Sequence, residues 1–461
     1  MGIPKRRPAS AERLATPASI RGVLFGASAA ALGVAIQVAN GTLTEESFFY
    51  LNVAAGLGLA ALACPRAPAR RPRLEPWLAG MLSVALAWQV GYLFVAPPAM
   101  YLRPDADGAR LFLRGIGAAI VLAGGLLQSS RGGRVAFLAG LLTLHALLGM
   151  WVLRTSPEPH IDVFYFQRDS CNALLHGTNP YTITFPNIYG DATPFYGPGA
   201  TWHGRLKFGF IYPPLSLFMA LPGHLLGDYR YSQLFAIEAA AALMAFSSRE
   251  KTAPLAAALF LMTPRSFFVL EQGWTEPFAV FLLAATVFCA HRARPAVPYV
   301  LGLLLCVKQY LVFACIPALF LVSRGDGRAT RAFVLKTLAT VLVVTLPLAL
   351  WNARAFLDDI VMMQLRQPFR RDALSYLAWL ARDRPVPLPA WVALAPTLLA
   401  TALAWWRLPR TPSGFAGAVA IVMFTFIAFN KQAFANYYYF VIGALCCAVA
   451  AEPNPVAPSS A

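Results

Sequence analysis

Charge is what this chain has least of. Only 13% of its 461 residues are Asp, Glu, Lys or Arg, whereas 58% are hydrophobic. Soluble domains carry about 25% charge, so the composition excludes a large water-soluble domain and points to a membrane protein. Histidine is scarce, and His160, His176 and His203 lack zincin spacing. The seven cysteines are scattered. Six of them (Cys64, Cys289, Cys306, Cys315, Cys446 and Cys447) fall in or beside apolar runs, and only Cys171 sits in a polar stretch. Neither a disulfide framework nor a metal site has support in these spacings, and no cofactor is expected. A cleavable leader is not expected either. Lys5, Arg6, Arg7, Arg13 and Arg21 precede an apolar run, but that run ends in Asn-Gly-Thr rather than in small residues. No internal repeat is visible.

What the chain does have is apolar runs of bilayer-spanning length, roughly 20 residues each. The net charge of +17 would suggest nucleic acid in a soluble protein. Here the Lys and Arg residues sit in short loops between apolar runs, which is the positive-inside pattern, so membrane lipids are expected as partners and nucleic acid is not. The expected fold class is an all-α polytopic membrane protein with about 12–14 transmembrane or re-entrant helices and large extracytoplasmic loops. Residues 1–21 read as a basic cytoplasmic tail, 22–154 as a five-helix membrane region, 155–451 as a second membrane region with outer loops 155–207 and 352–388, and 452–461 as a second cytoplasmic tail. The Ala- and Arg-rich composition looks bacterial, so the expected location is the inner (plasma) membrane, multi-pass, with both termini cytoplasmic.

The polar stretch from Glu158 to Pro214 is the longest interruption. It is too long for a plain connector. Segment 209–226 is broken by Pro213-Pro214 and Pro222, and 253–263 ends at Thr263-Pro264-Arg265. Charge alternation puts the Glu271 loop outside only if one of those two segments fails to cross. Segment 297–323 is apolar except for Lys308-Gln309, which is expected at the outer apex of two short helices, an arrangement that lines sites rather than lipid.

Five polar clusters share the predicted outer face. They are Asp162 with Gln167, Arg168 and Asp169; Glu271 with Gln272 and Glu276; Lys308-Gln309; Arg366 with Arg370, Arg371 and Asp372; and Lys431-Gln432 with Asn436-Tyr437. Ionisable groups at membrane depth mark function by default, although each could also be a solvated loop charge or a snorkelling side chain. A carboxylate can serve as general base. Lys308, Arg366, Arg370 and Lys431 are candidates for a phosphate group. Tyr165, Gln167, Asn179, Tyr181, Tyr212, Glu271, Gln272, Gln309, Asn436 and Tyr437 are candidates for substrate contact. A rival reading is a transporter or flippase for a lipid-linked or anionic solute, with Glu238 inside an apolar helix as its proton-coupling group.

The order Asp162-x-x-x-Phe166, Leu174-x-x-Gly-x-Asn-Pro-Tyr181, Phe210-x-Tyr-Pro-Pro214 resembles the opening signature of the family-87 membrane glycosyltransferases. These belong to the GT-C superfamily and include polyprenyl-phosphate-mannose-dependent α-mannosyltransferases. Glu271-Gln-Gly-Trp resembles that group's Gly-Gln-type loop, and Lys308-Gln-Tyr its Lys-Pro-type helix, with Gln309 where Pro is usual. The resemblance spans about 155–450. It implies a GT-C-like fold, a catalytic region over 155–451, and transfer of a hexose, mannose being that family's sugar, from a polyprenyl-phosphate donor to a lipid- or glycan-linked acceptor on the extracytoplasmic face. It also implies that Asp162 is the catalytic base of an inverting reaction. The chain departs from the family layout in placing five helices before that Asp, and it has no Asp-x-Asp pair there.

Overall fold

The computed structural model describes residues 20–64, 75–93, 95–128, 130–191, 193, 195–248, 252–323, 325–384 and 388–452. The expected tails, apart from their innermost residues, and nearly all of the arginine-rich 65–75 loop lie outside the described residues.

Apolar runs become helices, and proline or glycine follows the last turn of many of them, although α7 runs on through Pro222. Five helices lead: α1 (Ile20–Val38), α2 (Glu45–Ala63), α3 (Glu75–Leu93), α4 (Ala106–Gln128) and α5 (Arg131–Thr155). At the start of α2 the Thr44 hydroxyl accepts from the Ser47 amide, and the Ser47 hydroxyl accepts from the Thr44 amide, closing a capping box. The long polar stretch holds α6 (Asp162–Leu175), a 3₁₀ turn at Pro180–Thr182, and a two-stranded antiparallel hairpin of β1 (Thr201–Trp202) and β2 (Arg205–Leu206). Next come α7 (Pro214–Leu225), α8 (Arg230–Ser247), α9 (Thr252–Leu261), α10 (Ser266–Gln272), α11 (Glu276–Arg292), α12 (Val297–Leu305), α13 (Cys315–Ala318) and α14 (Gly327–Trp351). The second long loop contains α15 (Ala353–Leu357), a π turn over Asp358–Met362, α16 (Met363–Arg366) and α17 (Tyr376–Leu380). The chain closes with α18 (Leu394–Arg407), α19 (Pro412–Ala428) and α20 (Ala435–Ala450).

The architecture is all-α apart from one small hairpin, as a polytopic helical membrane protein requires. Among the described residues, α1, α2, α4, α5 and α14 are long and apolar enough to cross a bilayer, and α9 with α10, bent by 53°, would make a sixth span. The expected count of 12–14 came from apolar runs. Several of these runs fold into shorter helices, such as α19 with 17 residues and α20 with 16.

Burial separates helices that composition does not. Every residue of α9 is buried, and α20 is buried along nearly its whole length between α1, α9, α11 and α19. Only 11% of the apolar window of α14 is buried, and Val343, Leu346 and Leu350 stand exposed on it, as on a lipid-facing helix.

Arg230 gathers one face of the molecule. Its guanidinium binds Asp228 and donates to the carbonyls of Glu271 at 2.9 Å and Ser156 at 2.8 Å. The end of α5, the start of α8 and the end of α10 therefore lie together, here called the loop face. The twelve-residue α7 leaves this face after Tyr212 and comes back to it at Asp228. The bent α9–α10 pair then leads back up to it. Of the two segments one of which was expected not to cross, α7 is a single helix of twelve residues and α9 begins a bent pair, so neither is one straight span.

Candidate active site

Asp162 is the first residue of α6. Its periodic partners Val163, Phe166, Gln167, Ser170 and Cys171 are buried on one side, which fixes the helix and points its N-terminus at a cavity. The carboxylate meets that N-terminus: Oδ1 accepts from the Val163 amide at 2.7 Å, where the helix dipole favours negative charge. Oδ2 accepts from the Tyr196 hydroxyl at 2.9 Å, and the Asp162 amide donates to the Tyr189 hydroxyl at 3.2 Å. Burial raises the Asp162 carboxyl above its usual value, against the Tyr196 and Val163 hydrogen bonds and the charge of Arg370. The same enclosure raises the Tyr189 and Tyr196 hydroxyls, and the Asp162 charge raises them further.

The cavity in front of Asp162 measures about 420 Å³, within the usual range for small-molecule sites. Its wall is aromatic and amide-rich: Tyr101, Tyr189, Tyr196, Phe208, Tyr212, Trp274, Phe434 and Tyr437 alternate with Asn40, Gln272, Gln367, Gln432 and Asn436. The helices that precede the polar stretch help to build it. Ala39, Asn40 and Thr42 come from the end of α1, and Met100 and Tyr101 from the α3–α4 connection. Among the described lining residues Arg370 carries the one positive charge. Its guanidinium stacks between Phe195 and Phe434, 4.3 and 4.8 Å from their ring centres, and binds Asp372 through Nε and Nη2 at 2.8 and 2.6 Å.

Of the residues expected to act as base, to hold phosphate or to touch substrate, six line this cavity (Asp162, Tyr212, Gln272, Arg370, Asn436 and Tyr437), and Asp372 and Gln432 of the same polar clusters line it as well. Lys308 lies behind the wall, as expected at the apex between α12 and the next short helix. Its ammonium is 3.0 Å from Glu276 Oε1 and 2.8 Å from Thr275 Oγ1, and it sits 4.3 Å from the centre of the Tyr212 ring. Glu276 Oε1 also accepts from Tyr310 and Asn436, so the lysine charge is met by a buried carboxylate.

The other candidates brace the walls. Glu271 accepts the backbone amides of Met100 at 2.6 Å and Tyr101 at 2.7 Å, one on each oxygen. Gln309 donates to the Ile211 carbonyl at 2.5 Å, and the Tyr181 hydroxyl donates to the Tyr212 carbonyl at 2.8 Å. Asn179 caps the turn that carries Tyr181. Lys431 donates to the carbonyls of Leu365 and Gln367. Arg366 pairs with Asp358 at 2.9 Å on an exposed surface. Tyr165 stacks under Arg168, 4.8 Å from its ring centre, and Gln167 is fully buried in α6.

The sequence reading did not single out Tyr189, Tyr196, Tyr101 or Asn40. For the first two a signal was present, since each tyrosine immediately precedes a glycine in a polar loop. Tyr101 and Asn40 carry no such mark, because they reach the cavity only through the fold of helices far away in sequence. No protein-family model, no curated protein and no solved structure matches this chain.

Proposed function

We propose that the protein is an integral-membrane glycosyltransferase of GT-C type, with its active site on the extracytoplasmic face of a bacterial plasma membrane. It moves a hexose, mannose in the reading preferred here, from a polyprenyl-phosphate donor to a hydroxyl of a lipid- or glycan-linked acceptor. The observation that carries the reading is Asp162, an enclosed carboxylate of raised proton affinity facing a cavity walled by aromatic rings and amides. Rings stack on the apolar faces of sugars and amides bond their hydroxyls.

In this mechanism the Asp162 carboxylate accepts the proton of the acceptor hydroxyl as its oxygen attacks the anomeric carbon. The bond from that carbon to the phosphate oxygen breaks, the phosphate leaves with the electron pair, and the single displacement inverts the centre. Tyr196 holds the carboxylate in place. Arg370, rigid between two rings, offers the nearest positive charge to the leaving phosphate. Lys308 acts at longer range, through the wall.

The test is incubation of membranes with labelled polyprenyl-phosphate hexoses, followed by analysis of lipid and glycan products. Wild-type protein transfers the label, and Asp162→Asn, folded and inserted, loses at least a hundredfold of the rate. No transfer from any prenyl-phosphate donor would move the assignment to a transporter of lipid-linked or anionic solutes. Near-normal turnover by Asp162→Asn would remove Asp162 from its role.

A further inference from the structure

Away from the cavity, α5 and α8 share one ionisable contact. His145 Nδ1 lies 2.6 Å from Glu238 Oε1. His145 stands ten residues before the loop-face end of α5, and Glu238 eight residues after the start of α8. At 1.5 Å per residue both lie roughly 12–15 Å below the loop face, near the middle of a hydrocarbon layer about 30 Å thick. The helices are built to meet there. Gly149, one turn along α5 from His145, faces Leu234, one turn along α8 from Glu238, and a Cβ on Gly149 would come within 2.7 Å of the Leu234 side chain.

Neither group is fully satisfied. His145 Nε2 and Glu238 Oε2 are buried and have no hydrogen-bond partner among the described residues. The hydroxyl of Tyr439, on α20, lies within electrostatic reach of Glu238 and is also without a partner. The His145 side chain is wholly enclosed and stacks on Phe267, 4.6 Å between ring centres, whereas 17% of the Glu238 side chain is accessible, beside the exposed Phe235.

Among the described residues no cation is positioned to neutralise the carboxylate. Of the elements packed against the pair, α9 carries no titratable side chain, and α7 carries only His224, in its last turn and 2.9 Å from Asn172 Oδ1. On α8 itself Arg230 and Tyr231 lie in the first turn, and Arg230 is held by Asp228. On α10, Glu271 is held by Met100 and Tyr101, and on α11, Glu276 is held by Lys308. The remaining ionisable groups of α11, Cys289, His291 and Arg292, lie in its last turn. On α20, Tyr437 faces the cavity and Cys446 and Cys447 are buried thiols. The basic residues of α4, Arg110 and Arg114, lie in its first half, and those of α5 lie at its two ends. The pair alone must therefore manage its charge, and one shared proton leaves it neutral overall. Losing that proton strands an anion in an apolar layer, a costly state.

We propose that His145 and Glu238 form an intramembrane proton-binding site, in which the Glu238 carboxyl and the His145 ring share one proton. Through Phe267 the site abuts α10, whose Phe268 and Gln272 line the loop-face cavity. The site is independent of the transferase reading.

Its probe is N,N′-dicyclohexylcarbodiimide, which partitions into lipid and adds the O–H of a protonated carboxyl across a C=N bond. The adduct rearranges to a stable N-acylurea that peptide mass spectrometry can place. Membranes carrying the full chain are treated between pH 5 and 9. The expected result is modification at Glu238 that declines as pH rises and is lost in Glu238→Gln. In His145→Leu, which removes the group bonded to the carboxylate, the extent of Glu238 modification changes severalfold across the pH series. Two outcomes overturn the proposal: no modification of Glu238 even at pH 5, or a pH profile that His145→Leu leaves in place. Either would mean that the bond only joins two helices. Monodisperse elution of both variants in detergent guards against reading misfolding as a result.

Discussion

Asp359 offers the sharpest test of the packing on the loop face. It lies in the π turn between α15 and α16, only 3% exposed, with Oδ2 lacking a partner among the described residues. The Gly209 amide bonds its carboxylate, and the two chains are so close that a Cβ on Gly209 would come within 2.5 Å of both Asp359 Oδ2 and the Tyr181 carbonyl. Burial pushes the carboxyl from 3.8 up to about 7, the Gly209 amide opposes this, and the neighbouring Asp358 adds to it. At 1.36 kcal/mol per pH unit that displacement costs the native state about 4 kcal/mol once the carboxyl is ionised, or roughly 2–4 kcal/mol after local relaxation. The sign follows from the raised value. The folded chain holds a proton that the unfolded chain releases, so stability is complete below pH 3.8, falls as pH climbs towards 7, and is flat above. Asp359→Asn keeps an acceptor for Gly209 and removes the charge. Thermal unfolding of purified protein in detergent at pH 5, 6, 7 and 8 is the assay. The variant should gain several degrees over wild type at pH 8, with the gap closing towards pH 5. A gap that stays constant across this range, or a variant less stable at pH 8, would refute the reasoning.

Two further outcomes follow from the buried carboxylates. Lys308→Met strands Glu276 without its counter-ion and should cost about 3–5 kcal/mol, while the double variant Lys308→Met/Glu276→Gln should recover most of it. Equal melting temperatures for the single and double variants would show that the two charges are not coupled. Glu271→Ala removes both charge-assisted bonds that hold the Met100–Tyr101 backbone and should cost about 3–5 kcal/mol. Limited proteolysis should then cut first near residue 100, and an unchanged digestion pattern would contradict that clamp.

Much of the site could be read from the chain because local rules placed it. The long polar stretch marked out Asp162, but not its place as the first residue of α6. Pro213-Pro214 and Thr263-Pro264-Arg265 marked real breaks, and Lys308 within an apolar run marked a real apex. The roles of the charges around these points were not legible. Glu271, Gln309 and Lys431 have the residue types of ligand contacts, yet each bonds a backbone group across the fold. Lys308 was readable as a buried cation, but not its pairing with Glu276, 32 positions earlier in the chain.

What the sequence determined by itself is the solvent class and the punctuation. Charge of 13% and hydrophobic residues at 58% point to packed apolar helices, and proline and glycine mark many of their ends. The tertiary structure alone decided which apolar helix meets protein and which meets lipid. α9 and the second half of α14 are both strongly apolar, yet α9 is buried throughout and the apolar window of α14 is almost bare. The physical reason is that hydrocarbon and protein interior are nearly equal in polarity, so hydrophobicity excludes water without choosing between them. The same limit governs the polar residues. A lone carboxylate in an apolar chain must find a partner or face a cavity, and only the fold assigns Asp162 to the cavity, Glu276 to a lysine and Glu238 to a histidine.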